Sequence, residues 1–451
     1  MLNSINKSQS LADWLCYLES IHPVNIEMGL GRVGRVAADL ALTTFDAKVI
    51  TVAGTNGKGS TCAFLERILL DAGFNVGVTS SPHIQDYRER VRVNGNMLTA
   101  QAHADSFAFI EAGRGDTTLT YFEFTTLSAL KLFQDAALDV VILEVGLGGR
   151  LDASNIVSAD VAVVTTIDID HADWLGTDKA VIAREKSGIF RAGKKAICGV
   201  INPPSTIAAY ADEIGADLMA VNRDYHYRQA GNSWDWQLGS DAKRGTDTQL
   251  ATDAKPQVLS LTDLAIPQLP LQNAATAIAA VQALGLTVPE HAIRSGVANA
   301  RLPGRMQHLG TAPQQYLDVA HNPESARYLA TQLSRLKQQA GSPVKVIAVV
   351  GMLKDKDIAA SLAALTDVVD CWHLAPLQGE RAAPCQQIEQ GLADAMQQTG
   401  KSHDSLRQQP MSHDTIAQAW QSANQHADYN DIIIGFGSFF TVAEITQHIS
   451  G

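Results

Sequence analysis

The sequence predicts an α/β protein: a doubly wound, mainly parallel sheet with a small antiparallel insert, followed by a second, smaller α/β domain. Three observations predict it. Near-continuous Val/Ile runs without polar alternation recur along the chain, separated by helix-like stretches, as expected of strands covered on both faces. A glycine-rich turn follows the first of them, at the strand end where such sheets bind ligands. The length, 451 residues, exceeds what one core usually supports.

The first strand, Val49 to Ala53, runs into Gly54-Thr55-Asn56-Gly57-Lys58-Gly59-Ser60. Glycines let backbone N–H groups approach oxyanions and Lys58 adds a point charge, so an ATP phosphate cradle of P-loop type is expected. The ordinary G-x-x-x-x-G-K-[ST] pattern would need glycine at Val52 and a hydroxyl at Gly59, which leaves a ligand-free glycine turn as the alternative. Phe64 with Ile68, and Leu65 with Leu69, keep helical spacing, and Gly73 offers a stop. The turn is thus predicted between a strand and a helix N-terminus.

Further strands are expected at Asn75 to Thr79, Val140 to Val145, Val161 to Ile167 and Lys195 to Val200. Ligand-binding positions should then gather at their carboxyl ends: Gly54, Ser80, Glu144 and Asp168 to His171. Residues 202–261, rich in Asp, Gln, Arg and Trp, read as the antiparallel insert. A helical pattern returns from Gln272 to Leu284, and the Pro and Gly of RLPGR, Arg301 to Arg305, break it. A second, Rossmann-like series follows, with strands near Gln315 to Val319, Lys345 to Val350, Val368 to Leu374 and Asp431 to Phe436. Asn322 is predicted to cap a helix with Pro323 in its first turn, and Ala326, Leu329, Leu333 and Leu336 on one face. The expected domains are 1–302, a linker at 303–311, and 312–451, a hinged pair enclosing a cleft.

A formal net charge of −12 argues against a nucleic-acid partner, which needs a basic face. No apolar run is long enough for a membrane span, and MLNSINKSQSLADW has no secretory pattern, so a cytoplasmic protein, taken as a monomer, is expected. Five cysteines without C-x-x-C spacing read as reduced, buried thiols.

Glu144 closes the apolar run VVILE, so its carboxylate should emerge at the sheet edge near the phosphate loop. A Mg²⁺ ligand is the functional reading; a surface glutamate paired with an arginine is the plain one. Gly146, Gly148 and Gly149 leave room for a ligand. His171 follows another strand, where a lone histidine is more often structural than a ligand.

GTNGKGS, SSPH at 80–83, RERVRVNG at 88–95, LEVGLGGRLDASNIV at 143–157, TTIDIDHADWLG at 165–176, REKSGIFR at 184–191, Asn273, LPGR at 302–305 and DVAHNP at 318–323 together resemble the Mur ligase superfamily. Within it they resemble the folate branch of dihydrofolate synthases and folylpolyglutamate synthases. The resemblance spans nearly the whole chain. It implies ATP and Mg²⁺, as two ions, with Ser81, Glu144 and His171 as metal ligands. It implies a carbamate on Lys186, which would otherwise pair with Glu185 or contact phosphate. It places Asn273 and Arg305 on the nucleotide and Asp318 at or near the ribose. Arg305 would clamp the transferring phosphoryl group, or else be a solvated turn residue. His321 and Ser438 would line the incoming glutamate. Gly29, Leu30, Arg32, Tyr121, Phe122, Glu123, Leu151, Asp152 and Ala153 would form the pteroate side, with Asp152 bonding the pterin and Phe122 stacking on it, although core packing is the plainer role for Phe122. Gly31 departs from an acidic residue found in some relatives, so no side-chain contact is expected there.

The implied activity is ATP-dependent addition of L-glutamate to dihydropteroate and to the γ-carboxylate of reduced folates, through an acyl phosphate. The alternatives are a folylpolyglutamate synthase alone, a cell-wall Mur ligase, and a nucleotide-binding protein without catalysis. With Gly54 so early, the extra sugar-nucleotide domain of the cell-wall enzymes is not expected. Ser81, Glu144, His171 and Lys186 together exceed what a mere nucleotide binder requires.

Overall fold

A computed structural model describes residues 9–24, 26–239, 259–340, 343–401 and 409–450. The chain divides into two units, Met1–Ser81 with Tyr87–Arg301, and Pro82–Asp86 with Leu302–Gly451.

The first unit is built on β1 (Lys48–Ala53), β2 (Val76–Thr79), β3 (Val91–Val93), β4 (Asn96–Met97), β5 (Val140–Glu144), β6 (Val161–Val164), β7 (Lys195–Cys198) and β8 (Asp217–Ala220). They form one sheet in the order β4-β3-β2-β5-β1-β6-β7-β8. All neighbours are parallel from β2 to β8, and β3 and β4 add an antiparallel edge. Both faces of the central strands are covered: Ile50, Val52, Ile142 and Val163 are as fully buried as Val141, Leu143 and Val164. That is why the runs lack alternation. From β1 the chain moves first to one side, to β2 and β5, then to the other, to β6 through β8. The loop after β1 therefore lies at the switch point, where such sheets open a crevice.

The antiparallel insert comprises β9 (Tyr225–Ala230), β10 (Ser233–Leu238) and β11 (Ser260–Ala265). Its beginning was expected too early: residues 205–214 form a helix and β8 joins the main sheet beside β7. Residues 240–258 of the expected insert lie outside the described residues. Trp236 Nε1 donates to the Ala275 carbonyl at 3.0 Å and the Tyr225 hydroxyl meets Thr276 Oγ1 at 3.2 Å, so the insert rests on the helix Leu271–Ala283.

The second unit carries β12 (Gln307–Thr311), β13 (Gln314–Asp318), β14 (Val346–Val350), β15 (Cys371–Leu374), β16 (Met411–Ser412) and β17 (Ile432–Phe436), in the order β12-β13-β17-β14-β15-β16. Only β12 is antiparallel to its neighbour. Part of the expected linker is thus a strand of this sheet. Asn322 caps the helix Pro323–Gln339, accepting from Ser325 N at 3.0 Å, with Pro323 in the first turn and Ala326, Leu329 and Leu333 buried. The strand expected from Val368 starts only at Cys371, because Val368 N and Val369 N turn back onto the Leu365 carbonyl.

All five cysteines are free thiols; Cys16 is exposed, against expectation, while Cys62, Cys198 and Cys371 are buried. No helix among the described residues is long and apolar enough to cross a membrane.

Candidate active site

β1 delivers the chain into a loop that only glycine can follow. Gly54 has φ +157° and a Cβ there would fall 1.8 Å from Thr165 Oγ1; Gly57 has φ +82° and a Cβ would fall 2.7 Å from the Asn273 amide. Gly57 is the N-cap of the helix Lys58–Asp71 and offers no capping side chain. The first-turn N–H groups of Lys58, Gly59 and Ser60 lack intrahelical partners by geometry, at the positive end of the helix dipole. Thr55 N donates to the Thr166 carbonyl at 2.9 Å, Asn56 N to Thr166 Oγ1 at 3.0 Å, and Thr165 Oγ1 to the Asn56 carbonyl at 2.6 Å. This clamp ends β6 at Val164, three residues before the strand end expected from the sequence. Lys58 Nζ donates to the Gly54 and Thr55 carbonyls at 3.0 and 3.2 Å, which holds its charge over the loop. Asn273, buried on the helix Leu271–Ala283, closes one side. A cradle of this kind fits phosphate oxygens.

Lys186, near the end of the helix Lys179–Ser187, is 4% exposed and its Nζ donates to the same Gly54 carbonyl at 3.0 Å. Burial above all, and the neighbouring Lys58, push its pKa down to about 7, against the pull of Asp170 and Asp152. The backbone of Lys186 lies against Gly149, where a Cβ would come 2.8 Å from its carbonyl; Phe122 lies equally close to Gly146, and Met28 packs near Gly148. One glycine loop therefore joins the lysine beside the phosphate cradle to the residues expected on the pteroate side.

Asp152 shapes that loop. Its Oδ2 accepts from Gly146 N and Leu147 N at 3.0 and 2.9 Å, and its Oδ1 from Ser154 N and Oγ at 2.9 and 2.6 Å. Burial raises its pKa against these bonds. A carboxylate has about four lone-pair sites, and four donors of the loop lie on them, so Asp152 braces the loop that leads to the residues expected on the pteroate side. Leu151 and Ala153 flank it, half-buried and buried. Arg32 Nη2 donates to both oxygens of buried Glu123 at 2.9 and 3.1 Å, which ties MGLGR to TYFEF; Glu123 also closes a capping box with Thr120. Gly29 and Leu30 enter the helix Gly31–Asp39, and the Arg90 guanidinium lies 5.6 Å from the Tyr121 ring centre.

Ser81 and Glu144 come together because β2 and β5 are parallel neighbours with Thr79 opposite Leu143. Ser81 N donates to Glu144 Oε2 at 3.0 Å, and Glu144 is 6% exposed. His171 lies beyond β6, exposed, with φ +54° at the start of the short helix Ala172–Leu175. Among the described residues no three His, Cys, Asp or Glu side chains form a metal-holding group. A hydroxyl and a carboxylate at adjacent strand ends fit a hard cation that takes its other ligands from phosphate and water.

In the second unit, Asp318 at the end of β13 accepts from Met306 N and Ala320 N at 2.9 and 2.8 Å and is fully buried. Burial raises its pKa, opposed by Arg305. Asp318 thus fixes the turn that presents half-buried Arg305. His321 Nδ1 donates to the Val319 carbonyl at 2.8 Å. Its ring centre is 6.3 Å from that of Phe439, next to Ser438. Ser438, buried, accepts from Thr441 N at 3.0 Å. The sequence reading missed the threonine clamp and the Arg32–Glu123 pair; the only signal was the polar TT after an apolar run.

Two family models match the chain: "Mur ligase middle domain" over residues 52–281 and "Mur ligase, glutamate ligase domain" over 304–439. The dihydrofolate synthase/folylpolyglutamate synthase of Escherichia coli (strain K12) is 50% identical over 439 residues, 97% of this chain and 95% of that protein. A solved structure of E. coli FolC in complex with DHPP and ADP superposes with a TM-score of 0.89 at 47% identity, over 99% of both chains. The Yersinia pestis bifunctional folylpolyglutamate synthase/dihydrofolate synthase with AMPPNP and Mn ion gives 0.88 at 47% identity, over 100% of both.

Proposed function

The chain belongs to the Mur ligase family, in its dihydrofolate synthase/folylpolyglutamate synthase branch, and from that premise we propose how its residues perform the reaction. The protein is an ADP-forming carboxylate–amine ligase that joins L-glutamate to dihydropteroate and to folates. A carboxylate oxygen of the pterin substrate attacks the γ-phosphorus of ATP and ADP leaves, forming an acyl phosphate. The neutral glutamate amine then attacks the acyl carbon, an amide forms as the nitrogen gives up one proton, and phosphate departs with the bonding pair and takes up that proton.

Gly54, Thr55, Asn56 and Gly57 shape the loop, and the first-turn N–H groups of Lys58, Gly59 and Ser60, with the Lys58 side chain, Asn273, Arg305 and Asp318, would hold the nucleotide, whose transferring group gathers negative charge. Mg²⁺, as two ions bound through Ser81, Glu144, His171 and phosphate oxygens, would neutralise charge on the transferring group. Lys186 is carbamylated in this reading: its neutral amine adds to carbon dioxide and releases one proton, which places an anion beside Lys58. Gly29, Leu30, Arg32, Tyr121, Phe122, Glu123, Leu151 and Ala153 hold the pteroate, with Asp152 acting through the loop it braces. His321 and Ser438 receive the glutamate. The enzyme works as a monomer in the cytoplasm, with residues 1–302 and 312–451 as its two domains.

The observation that carries this reading is the bond from Lys186 Nζ to the Gly54 carbonyl, which couples the phosphate loop to the glycine loop in front of Phe122. The test is an assay of the purified chain with ATP, Mg²⁺ and L-glutamate, offering dihydropteroate and tetrahydrofolate separately. ADP formation that requires glutamate is expected with both. None with dihydropteroate would leave a folylpolyglutamate synthase alone, and none with either would defeat the reading.

A further inference from the structure

Between the phosphate-loop helix and the metal-ligand loop lies a largely buried ion pair, and we propose that Arg92 and Glu66 are positioning residues that set Ser81 and Glu144 for their cation. Arg92 stands on β3 opposite Val78 of β2. Its Nε donates to both oxygens of Glu66 at 3.2 Å and its Nη2 to Glu66 Oε2 at 2.8 Å. Its Nη1 donates to Ser80 Oγ and to the Glu89 carbonyl, both at 3.2 Å. Glu66, 8% exposed, belongs to the helix Lys58–Asp71, whose first turn is the phosphate cradle. Ser80 N donates to the Arg90 carbonyl at 2.9 Å, and the next residue, Ser81, donates its N–H to Glu144. One guanidinium thus ties the helix that holds phosphate to the loop that holds metal.

The charges agree with the geometry. Burial disfavours the Arg92 cation, yet Glu66 overrides it, with Cys62 and Glu144 adding in the same sense, and holds the guanidinium above its usual range. A pair serving only the fold would gain little, since apolar replacements of buried ion pairs are often neutral or stabilising. What an apolar pair cannot supply is the fork on Ser80 and Glu89. Groups that orient metal ligands in this way change metal affinity by about ten- to a hundredfold when removed.

The inference rests on Ser81 and Glu144 being the cation's ligands, so the experiment includes Glu144→Gln. ADP binding to the full chain is measured by calorimetry across a Mg²⁺ titration, with thermal midpoints taken without ligand. Arg92→Lys keeps the charge and loses the fork; Glu66→Gln with Arg92→Met removes both charges at similar volume. Both should raise the half-saturating Mg²⁺ about tenfold or more, while metal-free ADP affinity and the thermal midpoint of the double variant stay near the parent's. If the double variant does not fold, Arg92→Lys decides alone. A parental Mg²⁺ dependence in these variants, with Glu144→Gln shifted, overturns the positioning role. An unshifted Glu144→Gln overturns the metal assignment and the inference with it.

Discussion

Lys186 provides the sharpest quantitative test. With its pKa at about 7, about half of its amines are neutral at pH 7, against fewer than about one in a thousand for an ordinary lysine. Only the neutral amine adds to carbon dioxide. Carbamate occupancy should therefore fall as pH drops below about 7, and rise with bicarbonate at fixed pH. In ¹³C-bicarbonate, NMR of the enzyme should show one labelled carbamate that disappears in Lys186→Ala. That variant should lose at least about two orders of magnitude in turnover, or about 2.7 kcal/mol of barrier, and regain part of it with formate or acetate. The same shift predicts a stability effect in bicarbonate-free buffer. Between pH 7 and the ordinary lysine range the unfolded chain binds one more proton than the folded chain, so stability rises with pH there, by up to about 1.4 kcal/mol per unit. Lys186→Met should flatten that rise. No labelled signal, together with full activity in Lys186→Ala, would refute the reasoning.

Gly57→Ala forces a side chain into a left-handed backbone, at about 1–2 kcal/mol, and presses it onto Asn273. ADP binding should weaken about tenfold by calorimetry, while Gly231→Ala, left-handed but with open space around it, leaves it unchanged; equal binding in both would release Gly57 from the cradle. Asp152→Asn replaces one acceptor oxygen with a donor facing backbone N–H groups, at about 1–3 kcal/mol, so the thermal midpoint should drop and both glutamate additions should fall in parallel. A selective loss of the dihydropteroate reaction at an unchanged midpoint would place the carboxylate on the pterin. His373, whose Nδ1 lies 3.1 Å from His413 Nε2, is held to a pKa of about 4 by burial, then by His413 and His426. From pH 6.5 down to 4 the unfolded chain binds the extra proton and stability falls. His373→Phe should lose less stability than the parent in denaturant titrations across that window, and an identical loss would remove His373 as the cause.

The sequence by itself determined what neighbours in the chain decide. Val49 to Ala53, the glycines after it and the helical spacing of Phe64 and Ile68 are local, so the strand, the glycine turn and the helix were legible, as was the Asn322 cap. Ser81 and Glu144 could be assigned from their motifs, but their N–H bond exists because β2 and β5 are adjacent in the sheet while about sixty residues apart in the chain. Other features depended wholly on tertiary contacts. The edge strands β3 and β4 are too short to show a period. Residues 205–220 read as insert only because they precede the polar, Trp-bearing stretch, yet sheet pairing with β7 claims β8. Asp152 read as a carboxylate for the pterin, and no pattern in the chain reveals the four loop donors that fold back onto it. The motif around Lys186 implied a carbamate and Arg92 was one residue of another motif, and only the fold shows Lys186 buried beside Lys58 with its pKa pushed down to about 7, and Arg92 held by Glu66. Composition is silent on such pairings because desolvation and Coulomb energy depend on distance in space, and that distance is set by the fold.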